Sequence, residues 1–384
     1  MSQRIALLFN LSKTYDRQIA QAIIQYSREK RWIVYLEERP EERLPIRLSR
    51  QWDGLIADLD DFDFLKLLRK ERKRIPVVVC GKLKAEFRKG FSLPSVQTDD
   101  RVVVELAWKH LTERGYRTIA FCSMRLNTPD AWLDDRTAAY VDVAKVFGKK
   151  PFVFIDKRKS PTMETTIQEL REWISSLPKP LGIIACNDPR ARHVYEACRQ
   201  NGNRLPDEVG IVGVDNSDLY CDLMEPPLTS IQLDTSRIGF ELARLLELAM
   251  KKNPSLQSIQ VPPKGIAIRG STDLAFSDNP IIANAIRFIR DQLGKAISVK
   301  QLCQKLSVSR STLDAHFRES FGHGAHAEIA KRRLDYCLAL LQDTSLSIGE
   351  IAARSGFSSP AYFIAVFRKA HGCTPQQYRQ AWKA

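Results

Sequence analysis

Several features are missing from this chain of 384 residues. Its eight cysteines, Cys80, Cys122, Cys186, Cys198, Cys221, Cys303, Cys337 and Cys373, stand singly. No two have Cys-x-x-Cys spacing, and none joins a histidine at zinc-ligand spacing, which excludes a zinc motif. Buried thiols in a reducing compartment are the expectation. The six histidines form no metal or triad pattern. The chain has no Gly-x-x-x-x-Gly-Lys-Ser/Thr loop, no Gly-x-Gly-x-x-Gly after its first strand and no Gly-x-Ser-x-Gly elbow. Without those loops an enzyme is not expected, and no cofactor is implied. Long apolar runs are missing too. The run within MSQRIALLFNLSK spans five or six residues, too short for a signal-peptide core or a membrane span. A cytoplasmic protein with no membrane contact is expected.

What is present is a well-formed apolar fraction, 44%, and a formal net charge of +14. The length suggests two or three domains. The positive charge is uneven. From Asn279 onward there are about 15 basic and about 7 acidic residues, a distribution that favours a polyanionic partner.

From Met1 to about Thr272, short runs rich in Val, Ile and Phe alternate with helical patterns. Strands are expected at Ile5–Phe9, Ile33–Leu36, Gly54–Ala57, Val77–Val79, Thr118–Phe121, Gly182–Ala185, Gly210–Val214 and Ser230–Leu233. Helices are expected at Tyr15–Lys30, Arg101–Arg114 and Ile238–Lys251. This alternation predicts an α/β fold with parallel sheets, and the stretch is long enough for two lobes. Such sheets bind ligands beyond the carboxyl ends of their strands. Ser271–Pro280, STDLAFSDNP, has no periodicity and reads as a linker. The expected division is a sensor over 1–272, a linker over 273–280 and an all-α domain over 281–384.

That last region repeats itself at a period of 49–50 residues. Ser298–Gly322 and Ser347–Gly372 each open on a capping box, Ser298 with Gln301 and Ser347 with Glu350. Apolar residues follow at helical spacing, then a corner near Ser307 or Gly356. A second helix begins at Ser309 or Ser359, and each repeat ends on Phe-Arg and then Gly. Two short helices joined by a tight turn make a helix-turn-helix, whose second helix enters the major groove of double-stranded DNA. Ser309, Arg310, Ser311 and Asp314 are the small and polar residues expected to face the groove, with Arg310 suited to a guanine edge. Arg318, Ser358, Ser359, Ala361, Arg368 and Lys369 complete the candidate DNA contacts. A longer helix, Ala325–Gln342, joins the two units. Its Lys331, Arg332 and Arg333 are either phosphate contacts or, in part, core support and salt-bridge partners. Phe357, Tyr362, Phe363 and Phe367 are expected in the core.

The stretch GFSSPAYFIAVFRKAHGCTPQQYR, Gly356 to Arg379, resembles the signature of the AraC/XylS family of transcription regulators. The likeness covers Ile281–Tyr378 and implies two recognition helices set for successive major grooves. One departure is clear. Ile364 and Ala365 stand where the family often has polar residues, so the second helix either meets thymine methyls or anchors phosphates.

Between Arg4 and Thr272 the chain resembles the sugar-binding module shared by LacI-type repressors and periplasmic pentose-binding proteins. The segments that carry the likeness are AWKHLTERGYRTIAF, IIACNDPRARHVYEA, LPDEVGIVGVDN, PPLTSIQLD and RGST. No DNA-binding headpiece is read before this module. Sensor before reader, with LLFNLSKTYDRQ and GLIADLDD, resembles regulators that activate pentose catabolism. The fold implied is a two-lobed periplasmic-binding-protein-like sensor followed by the two helix-turn-helix units. The implied effector is a monosaccharide, D-xylose first, and the implied partners are a second copy of the chain and RNA polymerase; a repressor released by sugar, or a regulator that answers another small polar ligand, is the alternative. Candidate ligand contacts follow the strands: Asn10, Tyr15, Asp16, Asp99, Trp132, Arg136, Asn187, Asp188 and Asp215. The resemblance implies that Arg136, Asn187 or Asp188, and Asp215 meet ring hydroxyls. Asp16, Asp99 and Asn187 are equally good helix N-caps, and Asp215 equally a strand terminator. Asp58, Asp60 and Asp61 read as an acidic loop rather than a metal site.

Overall fold

The computed structural model describes residues 2–36, 52–60, 62–87, 92–125, 128–157, 162–251, 257–273, 279–292, 294–295, 297–343 and 346–383. The chain first forms β1 (Arg4–Leu8), α1 (Thr14–Lys30), β2 (Ile33–Leu36), β3 (Gly54–Asp58), α2 (Phe62–Glu71), β4 (Val77–Cys80), β5 (Ser95–Thr98) and α3 (Asp100–Glu113). It continues through β6 (Thr118–Cys122), α4 (Trp132–Val146), β7 (Val153–Phe154), α5 (Met163–Ser175), β8 (Leu181–Ala185), α6 (Asp188–Gln200), β9 (Val209–Val214) and α7 (Asp218–Leu223). Then come β10 (Thr229–Gln232), α8 (Thr235–Met250), β11 (Ser258–Val261) and β12 (Gly265–Ala267). Seven helices follow among the described residues: α9 (Pro280–Asp291), α10 (Val299–Leu306), α11 (Arg310–Phe321), α12 (Ala325–Asp343), α13 (Ile348–Arg354), α14 (Pro360–His371) and α15 (Pro375–Lys383).

The strands make two six-stranded sheets, ordered β11-β5-β4-β3-β1-β2 and β12-β10-β9-β8-β6-β7. The central pairings are parallel, Ile5 opposite Gly54 and Ile183 opposite Ile211 among them. Along β1 the side chains alternate between two buried faces. Ile5, Leu7 and Phe9 pack with Ile19, Ile23, Leu242 and Leu246 of α1 and α8. Ala6 and Leu8 pack with Leu65 and Leu68 of α2. Burial on both faces explains why these strands read as continuous apolar runs.

Two compact units emerge. One holds Met1–Leu106, Ser123–Lys159 and Gln232–Gly265; the other holds Ala107–Cys122, Ser160–Ile231 and Ile266–Ala384. The helical C-terminal region thus shares a unit with the greater part of the second sheet. Of the segment expected as a linker, residues 274–278 lie outside the described residues. Asp273, just before them, is held by ion pairs from Arg114 and Arg332. Among the described residues no helix is long and apolar enough to cross a membrane.

Candidate functional site

In the first unit, the carboxyl end of β1 leads into a turn. The Asn10 carboxamide accepts from the Ser12 N–H at 3.1 Å, and the Asn10 N–H donates to Asp16 at 2.9 Å. Lys13, not Asp16, is the N-cap of α1. Asp16 lies in the first helical turn with its side chain buried. Burial pushes its carboxyl up to about 6, against the opposing pull of Lys13 and the Asn10 N–H. Tyr15 turns its hydroxyl toward Thr98 Oγ1 at 3.4 Å. Asp99 accepts from the Val102 N–H at 3.2 Å, so it serves the start of α3.

Arg136 is 4% exposed, deep for a guanidinium. Its Nε donates to Asp100 Oδ1 at 2.7 Å, and its guanidinium lies over the Trp132 ring at 5.0 Å. Nothing in the sequence singles out Asp100. The sequence pointed to the first Asp of the Asp99-Asp100 pair, and the tertiary fold uses the second. Nor does the sequence single out Asp130. It accepts from the Lys82 and Trp132 N–H groups at 3.0 and 3.2 Å, and burial pushes its carboxyl up to about 7. Carboxylate oxygens of Asp58, Asp60 and Asp130 lie within 4.8 Å of one another, with the Lys13 ammonium paired to Asp58 and Asp60. Of the residues expected in an acidic loop, Asp58 is instead the buried last residue of β3, Asp60 is half-buried just after it, and Asp61 lies outside the described residues. A cavity of about 600 Å³ beside α4 is lined by Asp134, Thr137, Val141 and Ile155 among others, and by none of the candidate ligand contacts.

In the second unit, Asn187 is the N-cap of α6 and accepts from the Arg190 N–H at 2.9 Å. Asp188 is 0% exposed. Its two oxygens accept from the Ser230 hydroxyl and the Ser217 N–H, each at 2.7 Å. Its approach explains Gly213, where a Cβ would stand 2.1 Å from Asp188 Oδ1. Asp188 thus ties α6 to β10 and to the start of α7 from inside. Asp215 sits at the carboxyl end of β9 with φ 107°, followed by Asn216 at φ 49°. Two successive non-glycine residues at positive φ are uncommon, and such strain concentrates at functional positions. Arg269 braces this corner, donating to Asn216 Oδ1 at 2.9 Å.

The C-terminal helices form two small cores. Leu302, Leu313 and Phe317 pack with Ile282, Ile286 and Ile329; Ile351, Phe363 and Phe367 pack with Cys337, Leu338 and Leu341. Helix α12 contributes to both and joins the units. Both capping boxes form as the sequence predicts. Ser309 and Ser359 cap α11 and α14, accepting from the Thr312 and Tyr362 N–H groups at 3.1 and 3.2 Å. Arg310, Ser311, Arg318, Ser358, Ala361, Arg368 and Lys369 are exposed. Asp314 is engaged: its Oδ1 accepts from the Ala325 N–H at 2.9 Å and caps α12. Tyr362, expected in the core, is 52% exposed; Phe363 and Phe367 hold the buried stripe instead. Of the three cations on α12, Lys331 is exposed. Arg332 is buried between Glu328, at 2.7 Å, and Asp273, while Arg333 donates to the Ile297 carbonyl at 3.0 Å.

In the same unit, the segments after α3 and before β9 are tied to these helices, and α3 to the segment that precedes them. Arg114 donates to Asp335 at 2.8 Å, Arg290 donates to Asp207 at 3.2 Å, and His110 meets Thr272 Oγ1 at 2.8 Å. The Arg332–Asp273 pair adds to this link. The two partners in each of these contacts are far apart in sequence, so no motif marks them.

Comparison with known proteins agrees with this architecture. A family profile described as XylR N-terminal domain matches residues 4–101. One described as periplasmic binding protein-like domain matches residues 108–272, and one described as helix-turn-helix domain matches residues 302–381. The xylose operon regulatory protein of Escherichia coli K12 is 32% identical, covering 98% of this chain and 96% of that protein. The protein of the same name from Haemophilus influenzae is 33% identical, covering 98% of each. The solved structure of the xylose-binding transcription activator XylR superposes with a TM-score of 0.68 at 31% identity, covering 99% of this chain and 98% of that one. The two-sheet region therefore has the periplasmic-binding-protein fold, and the helical region is an AraC-type helix-turn-helix pair. Over nearly its whole length the chain belongs to the family of xylose operon regulatory proteins, which are sugar-sensing, DNA-binding transcription regulators and not enzymes.

Proposed function

We propose that this chain binds D-xylose and, in response, activates transcription from DNA read by its two helix-turn-helix units. The observation that carries the sugar reading is Arg136. Its guanidinium is withdrawn from water, paired to Asp100 and laid on Trp132. A buried ion pair stabilises a fold no better than apolar packing of the same volume, so its presence favours a task beyond stability. A pentose offers hydroxyls to the charged pair and a C–H face to the indole. Asp16 is the further contact proposed in the same unit as this pair, and Asp215 is proposed as a sugar contact within its own unit. Asn187 and Asp188 act as supports, since the structure gives them capping and cross-linking roles. For DNA, the proposed contacts are Ser309, Arg310 and Ser311 on α11, Ser358, Ser359 and Ala361 at the start of α14, and Arg318, Arg368 and Lys369 toward the phosphates.

Sugar can alter the DNA-reading state only through unequal affinity for two states of the protein. The ion pairs of Arg114, Arg290 and Arg332 join the reader to the segments after α3, before β9 and just past Thr272. A cytoplasmic homodimer that contacts RNA polymerase completes the reading.

Calorimetric titration of the full chain with D-xylose, L-arabinose, D-ribose and D-glucose tests the effector. D-xylose is expected to bind at micromolar affinity with the others weak. Absence of binding by D-xylose would refute the assignment. Asp215→Ala is expected to abolish the sugar response while DNA affinity without sugar survives. Normal sugar affinity in that variant would remove Asp215 from the site.

A further inference from the structure

The two recognition helices hold the same place in their units and present different chemistry. Ser309 and Ser359 cap them, and from there residue numbers correspond at an offset of 50. Leu313 and Phe317 correspond to Phe363 and Phe367, the buried stripe of each helix. On the opposite face Ser311 corresponds to Ala361, Ala315 to Ala365 and Arg318 to Arg368, and all of these are exposed.

The informative position is 314 in the first helix and 364 in the second. Asp314 caps α12 through the Ala325 N–H. The residue corresponding to Ala325 is Pro375, which has no N–H to cap. Helix α15 is capped by its own Thr374, which accepts from the Gln377 N–H at 3.2 Å while the Gln377 side chain accepts from the Thr374 N–H at 2.9 Å. The capping task at this position has therefore lapsed in the second unit. The position nevertheless carries a β-branched apolar side chain, Ile364, 37% exposed and next to the exposed Ala361 and Ala365. Arg368 and Lys369 stand exposed one turn further on. An apolar patch with cations beyond it fits a major groove, where phosphates lie at the rim. The apolar group among the base edges on the floor is the C5-methyl of thymine.

We infer that α14 reads thymine methyl groups with Ile364, flanked by Ala361 and Ala365, whereas α11 reads hydrogen-bonding base edges. This rests on the DNA reading proposed above and adds the class of sequence that the second unit selects. The test uses the full chain to enrich duplexes from a randomised pool, in parallel with Ile364→Ala. Thymines are expected at positions that the wild type enriches and the variant does not. Uracil at those positions removes the methyl and nothing else. It is expected to weaken the wild type about fourfold per methyl, from the transfer free energy of one such group, and to leave the variant unaffected. Equal affinity of the wild type for uracil and thymine duplexes would overturn the inference. So would an Ile364→Ala variant that enriches the same sequences, because the face would then serve another partner. A chain that enriches no duplex at all would instead refute the DNA reading, and this inference with it.

Discussion

The two helix-turn-helix units are repeats that diverge at one corner, and the divergence shows which features the architecture demands. From N-cap to N-cap the first unit runs Ser298 to Ser309 and the second Ser347 to Ser359, one residue more. Each corner holds a left-handed residue nine positions after the first cap: Ser307 at φ 54° and Gly356 at φ 71°. Val308 and Phe357 come next, and both pack against their unit's core. The added residue is Ser358, between Phe357 and the second N-cap. It accounts for the period that reads as 49 before the corner and 50 after it. Common to both units are the caps, the left-handed corner, the apolar stripe and the terminal glycines Gly322 and Gly372, at φ 76° and 74°. The outward face differs, and that is the part free to specify sequence.

Gly356→Ala is the substitution expected to hurt most. A Cβ there would stand 2.5 Å from the Lys295 carbonyl oxygen, and the residue would keep a positive φ. A loss of about 2 kcal/mol or more in denaturant-induced unfolding is expected, confined to the C-terminal helices. At the corresponding corner Ser307→Gly relieves a left-handed residue and should change stability by less than about 1 kcal/mol. If the two corners responded alike, the contact with Lys295 would not be what sets them apart.

Arg310→Ala removes a side chain that is 75% exposed at the first turn of α11. Specific DNA binding should weaken by about 1–3 kcal/mol, with relaxed preference at one base position. An equal loss on every duplex would make Arg310 a phosphate contact instead. The smallest effect sharpens the comparison of corresponding positions. Asp314→Ala should cost about 1 kcal/mol of stability through the lost cap of α12. Ile364→Ala should cost less than about 0.5 kcal/mol, because its side chain has no comparable task in the fold. Thermal or chemical unfolding of the pair measures both.

Much of this was legible in the sequence because it is local. A cap and its partner stand three residues apart, so both capping boxes could be read directly. The eight expected strands all formed, to within a residue or so at their ends. The strands that went unread were β5, β7, β11 and β12. SVQT and SIQV carry polar residues at alternate positions, and VF and GIA are very short. What fixes β11 is its pairing with β5, Ser258 opposite Ser95, more than 160 positions apart. Site chemistry was hidden for the same reason. Asp99 and Asp100 are indistinguishable in sequence until the fold brings Arg136 to the second, and Asp130 joins Asp58 and Asp60 only through the fold. Asp314 has a groove-facing residue type at a groove-facing distance from its cap, yet it is turned to a helix that starts 11 residues later. For Arg332 the sequence leaves phosphate contact and salt-bridged core support both open, and the fold decides for the second by burying it against two carboxylates.

The central claim is that one chain couples a sugar to the reading of DNA. The most direct test is the affinity of the full chain for its enriched duplex with and without saturating D-xylose at one fixed salt concentration, alongside Asp215→Ala. A clear change with sugar in the wild type, absent in the variant, is the result predicted. Identical affinity with and without sugar, in a chain that binds both ligands, would contradict it.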